Sequence, residues 1–446
     1  MHDKGLNQFK SFCGFLQASG GIAPVTFLAR INLSGEVEFD FGSISLTKET
    51  SFILTCWGRE DARQGKFSLS GKSEDGIEFK TDDLLFNSPG HGSNKEIGSY
   101  MRPIGGCSQS EFRRKLAAAT SKPLIRMYLK GFQNFGQLRS KCHLGVIAMA
   151  GNTSIVDPDT ITGNIAVQSD DEPADLLKWR SEAEKLLEHV RRVMSFASAT
   201  VLQAPITEFF AGDDLEVITM SQTRRSPASM SVFHYLNQQP VFDAAVMSFF
   251  NPPYEVKNLF FAIEWFAMDA TYNEVRLVNA MTALENLITS NLGNKDALIR
   301  QNAEFKKTKK VLKKVIGECL SRWSTDEAEE VLKELDDKLS DLNRRSLLQK
   351  LYILAERWSV PLDGISDDKI RAAKKARDFI VHRGHYYEDG KVSSDNLWEH
   401  VTVVREIAVR FLLSAIGYQG GYLSYLGGSH DAWFPPKPRV MVETRG

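Results

Sequence analysis

The chain has 446 residues, of which 42% are hydrophobic, 10% aromatic and 25% charged. This length predicts two or three domains, each large enough to bury a core. The 55 lysines and arginines almost balance the 56 acidic residues, so the net charge of −1 excludes a global basic field that would draw the chain onto nucleic acid. Any contact with nucleic acid must therefore come from a local basic patch.

The five cysteines lack the spacing of a metal site, and their odd number argues against a disulfide framework. They are Cys13, Cys56, Cys107, Cys142 and Cys319. The start Met1-His2-Asp3-Lys4 does not resemble a signal peptide, and no apolar run approaches the length of a membrane span. We therefore expect a cytoplasmic, reducing compartment, no membrane partner, and no metal or other cofactor.

Residues 1–170 are expected to form an antiparallel β-rich domain, because short runs of β-branched and aromatic residues alternate there with turn signals. The predicted strands cover 25–33, 36–46, 51–57, 66–70, 76–80, 124–132 and 144–149. The glycines, serines and prolines of 88–106 predict a long loop, and they do not form a phosphate-binding fingerprint. The domain has no catalytic cluster, so by elimination we interpret it as a sensor.

Residues 171–240 are interpreted as an α+β connector or as part of a middle unit. The acidic stretch Asp170-Asp171-Glu172-Pro173 leads into an amphipathic helix that is predicted to end near Ala199. Two strand-like runs, 206–210 and 215–220, flank Gly212-Asp213-Asp214 and predict a hairpin.

From residue 241 to 417 the pattern is helical, because apolar residues recur at spacings of three and four. The predicted helices cover 242–250, 256–268, 273–292, 302–323, 325–339, 342–359, 366–383 and 393–416. Helices in such a succession form an all-α bundle. The glycine-, tyrosine- and proline-rich tail 418–446 predicts irregular structure. The expected fold class is therefore α+β and multidomain, with a β-rich N-terminal domain and a helical C-terminal domain.

The segment Arg377-Asp378-Phe379-Ile380-Val381-His382 combines a permanent positive charge with a titratable imidazole. Arginine can bind a phosphate through its fork of N–H groups, and histidine can move a proton near neutral pH. Ser366 is a predicted N-cap and Gly384 a predicted C-terminal stop, so the segment is expected in the last turn of a helix. The combination suits metal-free cleavage of a phosphodiester.

On an ideal helix, Arg377 projects from the middle of an apolar arc. The arc consists of Ile370, Ala373, Ile380 and Val381. A charge in this position needs a partner, and an arginine so placed is often a structural residue that pairs with a carboxylate of the next helix. Likewise, a histidine at a helix C-terminus often only interacts favourably with the helix dipole.

Asp378 lies one turn before His382, on a face shared with Arg371 and Lys375, so its carboxylate is expected to hold the imidazole by a hydrogen bond. Arg377 and His382 lie about 140° apart around an ideal helix. They converge on one phosphate only if the helix end unwinds, or if a second subunit supplies a copy across a two-fold axis.

The segment from Arg377 to His382 resembles the signature of HEPN domains, helical modules in which an arginine, a polar residue, a few apolar residues and a histidine mark the ribonuclease site. The earlier segment 276–288, with Ala283-Leu284-Glu285 inside it, is similar to the helix with an Ala-Leu-Glu core in the ApeA-like HEPN subgroup, which belongs to bacterial anti-phage defence. The resemblance covers approximately 250–417.

The resemblance implies a metal-independent RNA endonuclease of the abortive-infection type, which acts as a homodimer and leaves a 2′,3′-cyclic phosphate. Arg377 and His382 carry over as catalytic residues, and Asp378 as the polar residue beside them. Glu285 carries over as a supporting residue that either orients Arg377 or anchors two helices together. A phage-derived trigger at the N-terminal domain is the regulatory partner that fits this interpretation.

The alternative is a non-catalytic module that has kept the shape of the motif and serves dimerisation, nucleic-acid binding or protein binding. Six side chains around the motif are candidates for RNA binding: Arg371, Lys374, Lys375, Arg383, His385 and Tyr386. His385 and Tyr386 either bind RNA or simply belong to an exposed loop. The lysines of 306–314 either hold an RNA backbone or form a solvated helix face that acidic residues of the next helix neutralise.

Overall fold

The computed structural model describes residues 6–19, 21–47, 49–53, 66–94, 98–154, 157, 159–222, 230–320, 325–388, 391–392 and 396–436. The chain divides into two compact units, Met1–Phe249 and Phe250–Gly446. The first unit contains an antiparallel sheet and the second is mainly helical. The coarse prediction of an α+β chain with β-structure before helices is therefore confirmed.

The first unit is built on one antiparallel sheet. Its strands are β1 (Lys10–Ala18), β2 (Gly21–Ile31), β3 (Val37–Asp40), β4 (Ile44–Ser45), β5 (Phe67–Ser73), β6 (Glu78–Asn94), β7 (Gly98–Gly106), β8 (Gln109–Lys130), β9 (Gln137–Cys142), β10 (Gly145–Gly151), β11 (Ile161–Gln168) and β12 (Gln203–Met220). Within the described ranges the order is β3-β2-β1-β5-β6-β8-β11-β10-β9, with β12 paired to β8 and β7 paired to β4 and β6.

Alternation along the strands explains the core of this unit. In β2 the side chains of Val25, Phe27 and Ala29 are buried while their neighbours face outward, the period of two that a half-buried strand requires. Phe27 stacks on Phe12 of β1 with 5.3 Å between ring centroids, and meets Phe79 of β6 edge-on at 5.6 Å. These aromatic contacts join neighbouring strands into one core.

The prediction of a loop over 88–106 is wrong, because β6 and β7 pair from Leu85↔Gly106 to Asn94↔Gly98. One of the glycines there, Gly105, allows the two strands to approach closely. A Cβ on Gly105 would lie 2.7 Å from the carbonyl oxygen of Leu85, so this position has no room for a side chain. Turn-forming composition therefore marked a tight hairpin and not an irregular segment.

The described residues of 171–240 lie within the first unit. They add a helix and a long strand to it. Helix α1 (Leu176–Ser198) begins at Asp175, whose carboxylate accepts a hydrogen bond of 2.9 Å from the N–H of Lys178. The predicted hairpin is wrong: β12 continues along β8, and its register shifts on both sides of Gly212. Gly212 has φ of +57°, so the turn residues form a bulge instead.

Helix α2 (Gln239–Phe250) ends the first unit. The helices of the second unit are α3 (Leu259–Ala267), α4 (Asn273–Asn291), α5 (Asn294–Ala297), α6 (Asn302–Leu320), α7 (Thr325–Asp341), α8 (Leu347–Arg357), α9 (Asp367–Arg383) and α10 (Leu397–Ala415). Two short strands, β13 (Tyr387–Glu388) and β14 (Lys391–Val392), lie between α9 and α10. In the described chain, no helix is both long enough and apolar enough to cross a membrane.

Helix α10 is the centre of the second unit, because every residue from Val401 to Ala415 is buried. A helix that is buried on all sides lies in the core of a helical assembly. Helices α4 and α9 pack against it, and α4 also packs against α3 and α9. The two segments that carry the HEPN-like motifs, on α4 and α9, are therefore neighbours in space.

The tail is not irregular throughout, which corrects the prediction for 418–446. Strands β15 (Gly420–Ser424) and β16 (His430–Phe434) form a hairpin. The hydroxyl groups of Tyr422 and Ser424 donate to the buried carboxylate of Glu406 on α10, at 2.5 and 2.8 Å. A buried acceptor on another element holds the hairpin, and no local sequence pattern shows such a contact. Residues 437–446 lie outside the described range.

Candidate functional site

The motif lies at the end of α9, as its capping signals predict. The hydroxyl of Ser366 accepts a hydrogen bond from the N–H of Lys369, and Asp367 and Asp368 occupy the first turn. Gly384 ends the helix with φ of +80°, and its N–H donates to the carbonyl of Ile380 at 2.8 Å.

Arg377 forms an ion pair with Glu285 of α4. Its Nη2 donates to Oε2 of Glu285 at 2.8 Å, and the two side chains are only 23% and 29% exposed. The Nε of Arg377 is buried and has no hydrogen-bond partner among the described atoms. The guanidinium is therefore held at one end by a carboxylate from a neighbouring helix, in a partly desolvated position where a charge needs such a partner.

Asp378 extends this pair into a chain of charges. Its Oδ1 accepts from Nη1 of Arg377 at 3.1 Å, and its Oδ2 accepts from Nζ of Lys374 at 2.6 Å. Desolvation acts to raise the pKa of Asp378, but hydrogen bonds and charge attraction from Lys374 and Arg377 outweigh it and lower this pKa below its ordinary value. Asp378 is therefore an anion that competes with any phosphate for both cations.

His382 is exposed, and no described residue forms a hydrogen bond with its ring. The expected hydrogen bond between the imidazole and the carboxylate of Asp378 is absent, and the carboxylate accepts from Lys374 and Arg377 instead. Val381, expected in the buried arc, is 52% exposed, whereas Ile370 and Ala373 are buried as predicted. The last turn of α9 thus projects towards solvent and leaves the imidazole free to meet a substrate.

Arg377 and His382 do not converge within one subunit. Helix α9 continues through Arg383, so the helix end does not unwind, and an ideal helix separates the two side chains by about 140°. An unwound helix end is therefore not the way in which both side chains could reach one phosphate.

The predicted RNA-binding residues have different surroundings. Arg371 lies 3.8 Å from Asp367 in an exposed ion pair, and Lys374 is bound to Asp378. Lys375 and Arg383 each lie over the ring of Phe379, 5.7 and 5.0 Å from its centroid. His385 is exposed. The exposed basic residues and His385 remain candidates.

The structure corrects the prediction that Tyr386 is a candidate for RNA binding. Its side chain is only 6% exposed, and its hydroxyl lies 3.2 Å from Nε2 of His400, whose ring it meets edge-on. Tyr386 therefore anchors the segment after α9 to α10 and is not available as a stacking platform for RNA. His400 could not be recognised from sequence, because nothing in the local pattern of α10 indicates a contact with a residue fourteen positions earlier.

Two open clefts among the described residues of the first unit bear on the predicted sensor role. One, of about 570 Å³, is lined by side chains of β1, β5, β6 and β8, including Phe15, Lys72 and Arg113. The other, of about 600 Å³, lies between β2 and the segment around β4. Among the described residues, no group of three or more His, Cys, Asp or Glu side chains is placed to hold a metal ion.

Comparison with models of known protein families, with curated proteins and with solved structures finds no match for this chain. The fold and the candidate site therefore rest on the residues and contacts described above, and the HEPN-like interpretation is a proposal.

Proposed function

We propose that the chain is a HEPN-like, metal-independent RNA endonuclease of the anti-phage, abortive-infection type. The observation that carries the proposal is the ion pair between Arg377 and Glu285, because it joins the two segments that resemble the HEPN motifs. The arginine is held in place while His382 stays exposed five residues later. A fixed phosphate-binding group and an accessible proton carrier are the two groups that 2′-hydroxyl attack requires.

In the proposed reaction, neutral His382 takes the proton from a ribose 2′-hydroxyl as its oxygen attacks the adjacent phosphorus. The bond from phosphorus to the 5′-oxygen breaks, and a protonated imidazole, the partner subunit's His382, gives its proton to that leaving oxygen. Arg377 stabilises the charge that develops on the phosphoryl oxygens. The products are a 2′,3′-cyclic phosphate and a 5′-hydroxyl, and no metal takes part.

The proposal includes a homodimer in which α9 of each subunit contributes to one composite site. The unbroken helix from Asp367 to Arg383 supports it, because one helix keeps Arg377 and His382 on different faces. A two-fold axis near the end of α9 would bring one subunit's arginine opposite its partner's histidine. We further propose that a phage-derived trigger binds the first unit and controls activity, in keeping with its open clefts.

The test is incubation of labelled mixed-sequence RNA in EDTA with wild type, Arg377→Ala and His382→Ala, followed by mass spectrometry of the new ends. His430→Ala is the matched control, because His430 is an exposed histidine in the tail hairpin. Cyclic-phosphate ends from wild type and the control, with a loss of at least about a hundredfold in both motif variants, would support the enzyme. Cleavage unaffected by either motif variant would refute the proposed site.

Cleavage should also depend on pH. Since one imidazole must be neutral and the other protonated, the rate is expected to fall on both sides of neutral pH. A flat profile from about pH 5 to 9 would contradict an acid–base pair of histidines.

One observation favours a second candidate, the non-catalytic module. Arg377 is engaged by two carboxylates, as expected of an arginine that only anchors helices. In that case Arg377→Ala would weaken folding or dimerisation, His382→Ala would have no effect, and wild type would leave RNA intact. Denaturation and sedimentation of both variants, beside the cleavage assay, distinguish the two candidates.

A further inference from the structure

Among the described residues, helices α6 and α7 pack mainly against each other and form an arm whose two ends meet at its base. At its base the N–H of Ile299 donates to the carbonyl of Asn343 at 2.8 Å, and the N–H of Arg345 donates to Ala297 at 2.9 Å. The buried side-chain amide of Asn343 accepts a hydrogen bond from the N–H of Arg300 and donates one to the carbonyl of Arg300, at 3.0 Å each. The base of the arm is thus fixed by paired backbone.

Helix α6 is mostly exposed, since Leu320 is its one buried residue and five others are half-buried. Most helices in a folded unit bury an apolar face. This helix instead carries six lysines and two glutamates, a net charge of +4. Such a composition indicates a surface that faces either an anionic partner or solvent alone. The ion pairs of the lysines distinguish these two cases.

The six lysines divide into two groups. Lys309 and Lys313 face α7 and share Asp336, at 3.2 and 3.3 Å. Within the described part of the chain, Lys306, Lys307 and Lys310 have no acidic partner, and Lys314 has only Glu318 at 3.8 Å. Among the described side chains of α7, Asp336 therefore neutralises two lysines, and four are left.

The four remaining lysines share one face of α6. On an ideal helix Lys306, Lys310, Lys314 and Lys307 span an arc of about 100° and about 12 Å along the axis. All four side chains are exposed, so this arc faces outward beside the face that packs on α7. The result is a local basic strip on a chain whose total charge is close to zero.

We propose that this strip of α6 binds the sugar–phosphate backbone of single-stranded RNA. Lysine is a flexible point charge that suits contacts with phosphates in varied geometry, without selection of sequence. The inference deepens the proposed function, on which the choice of RNA as the polyanion rests, by assigning substrate capture to an arm separate from α9.

An anionic membrane is the rival partner for a basic helix. Interfacial helices insert large apolar side chains such as Trp, Phe and Leu beside the basic face. The exposed apolar residues of α6 are instead Val311 and Val315, while Phe305 and Leu312 are half-buried. The charge is therefore not accompanied by the apolar surface that membrane insertion needs.

The experiment measures binding in the full chain carrying His382→Ala, in EDTA, so that cleavage does not interfere. Labelled single-stranded RNA of mixed sequence is titrated from about 50 to 200 mM salt. In the variant Lys306→Gln/Lys310→Gln the affinity at low salt should fall about tenfold, and the slope of log K against log salt should decrease by about 1.4, which corresponds to two phosphate contacts.

The matched control is Lys333→Gln/Lys338→Gln, which removes two exposed lysines from α7 of the same arm. Its affinity and slope should equal those of the parent chain. An equal loss in both variants would mean that only total charge matters and would overturn the assignment. So would unchanged RNA binding in the α6 variant together with lysine-dependent binding to vesicles of anionic lipid.

Failure of this inference is distinguishable from failure of the proposed function. RNA binding that depends on Lys306 and Lys310 supports the inference even if wild type never cuts RNA. Cleavage by wild type, with RNA binding that is indifferent to these lysines, overturns the inference and leaves the enzyme intact.

Discussion

The guanidinium of Arg377 donates to the carboxylate of Glu285 at 2.8 Å, and this ion pair joins α9 to α4. Both groups are about three-quarters buried, so the removal of either one leaves the other charge poorly solvated. The pair therefore stabilises the contact between the helices, whatever chemistry the site performs. It also holds the guanidinium in one orientation, as a phosphate-binding group requires.

The strength of this pair can be measured with Glu285→Gln, Arg377→Gln and the double variant. We expect a coupling of about 1 kcal/mol in the free energy of unfolding, the upper end of the range for partly exposed pairs. Urea denaturation of the four proteins measures it. A control cycle on Lys369 and Glu399, a pair 3.1 Å apart and about half exposed, should give a coupling close to zero. Equal couplings in both cycles would contradict a special role for Arg377 and Glu285.

Asp378→Asn is expected to strengthen RNA binding. The carboxylate occupies Lys374 and the second Nη of Arg377, both of which a phosphate would use. Removal of one negative charge about 4 Å from a phosphate is worth about 1 kcal/mol in water, or about fivefold in affinity. Because the pKa of Asp378 is lowered, the gain should not vary near neutral pH. Weaker binding in this variant would show that Asp378 positions Arg377 and does not compete with RNA.

Helix α9 could be predicted from sequence because its boundaries are local. Ser366 and Gly384 act through contacts three or four residues away, and both ends were predicted within one residue. Glu285 came instead from the family resemblance, as a supporting residue that either orients Arg377 or anchors two helices together. Local capping and apolar spacing were sufficient for this helix.

What could not be predicted depends on distant parts of the chain. The pairing of Tyr386 with His400, and of Glu406 with Tyr422 and Ser424, joins residues on different elements. Glycine also has two different structural roles here. Gly105 allows a tight strand pairing, whereas Gly212 lies in a bulge. Composition identifies where the backbone is unusual, but the partner strand decides which structure results.

The first unit should lose stability in mild acid because of His189. Burial lowers the pKa of His189 from about 6.5 to about 4, and its Nε2 lies 3.0 Å from the hydroxyl of Ser248. In the unfolded chain His189 takes up a proton below pH 6.5, whereas in the folded chain it does so only near pH 4. Folding is therefore penalised as pH falls through this window, by roughly 2 kcal/mol between pH 7 and pH 5.

The measurement is urea denaturation at pH 7 and pH 5 of wild type, His189→Asn and the exposed-histidine control His430→Asn. We expect His189→Asn to be less stable than wild type at pH 7 but to lose roughly 2 kcal/mol less on acidification. The stability of the control should equal that of wild type at both pH values. If His189→Asn had the same pH dependence as wild type, another group would have to account for the loss.

Ser424 is expected to hold the tail hairpin on α10. Its hydroxyl donates to the buried carboxylate of Glu406, which also accepts from Tyr422 and, at 2.9 Å, from Arg410. Ser424→Ala removes one donor to a buried charge and should cost about 1.5–3 kcal/mol in the free energy of unfolding. Ser429→Ala is the matched control: the same substitution at an exposed position of the same hairpin should change stability by less than about 0.5 kcal/mol. Equal effects of the two substitutions would mean that the hairpin does not depend on Glu406.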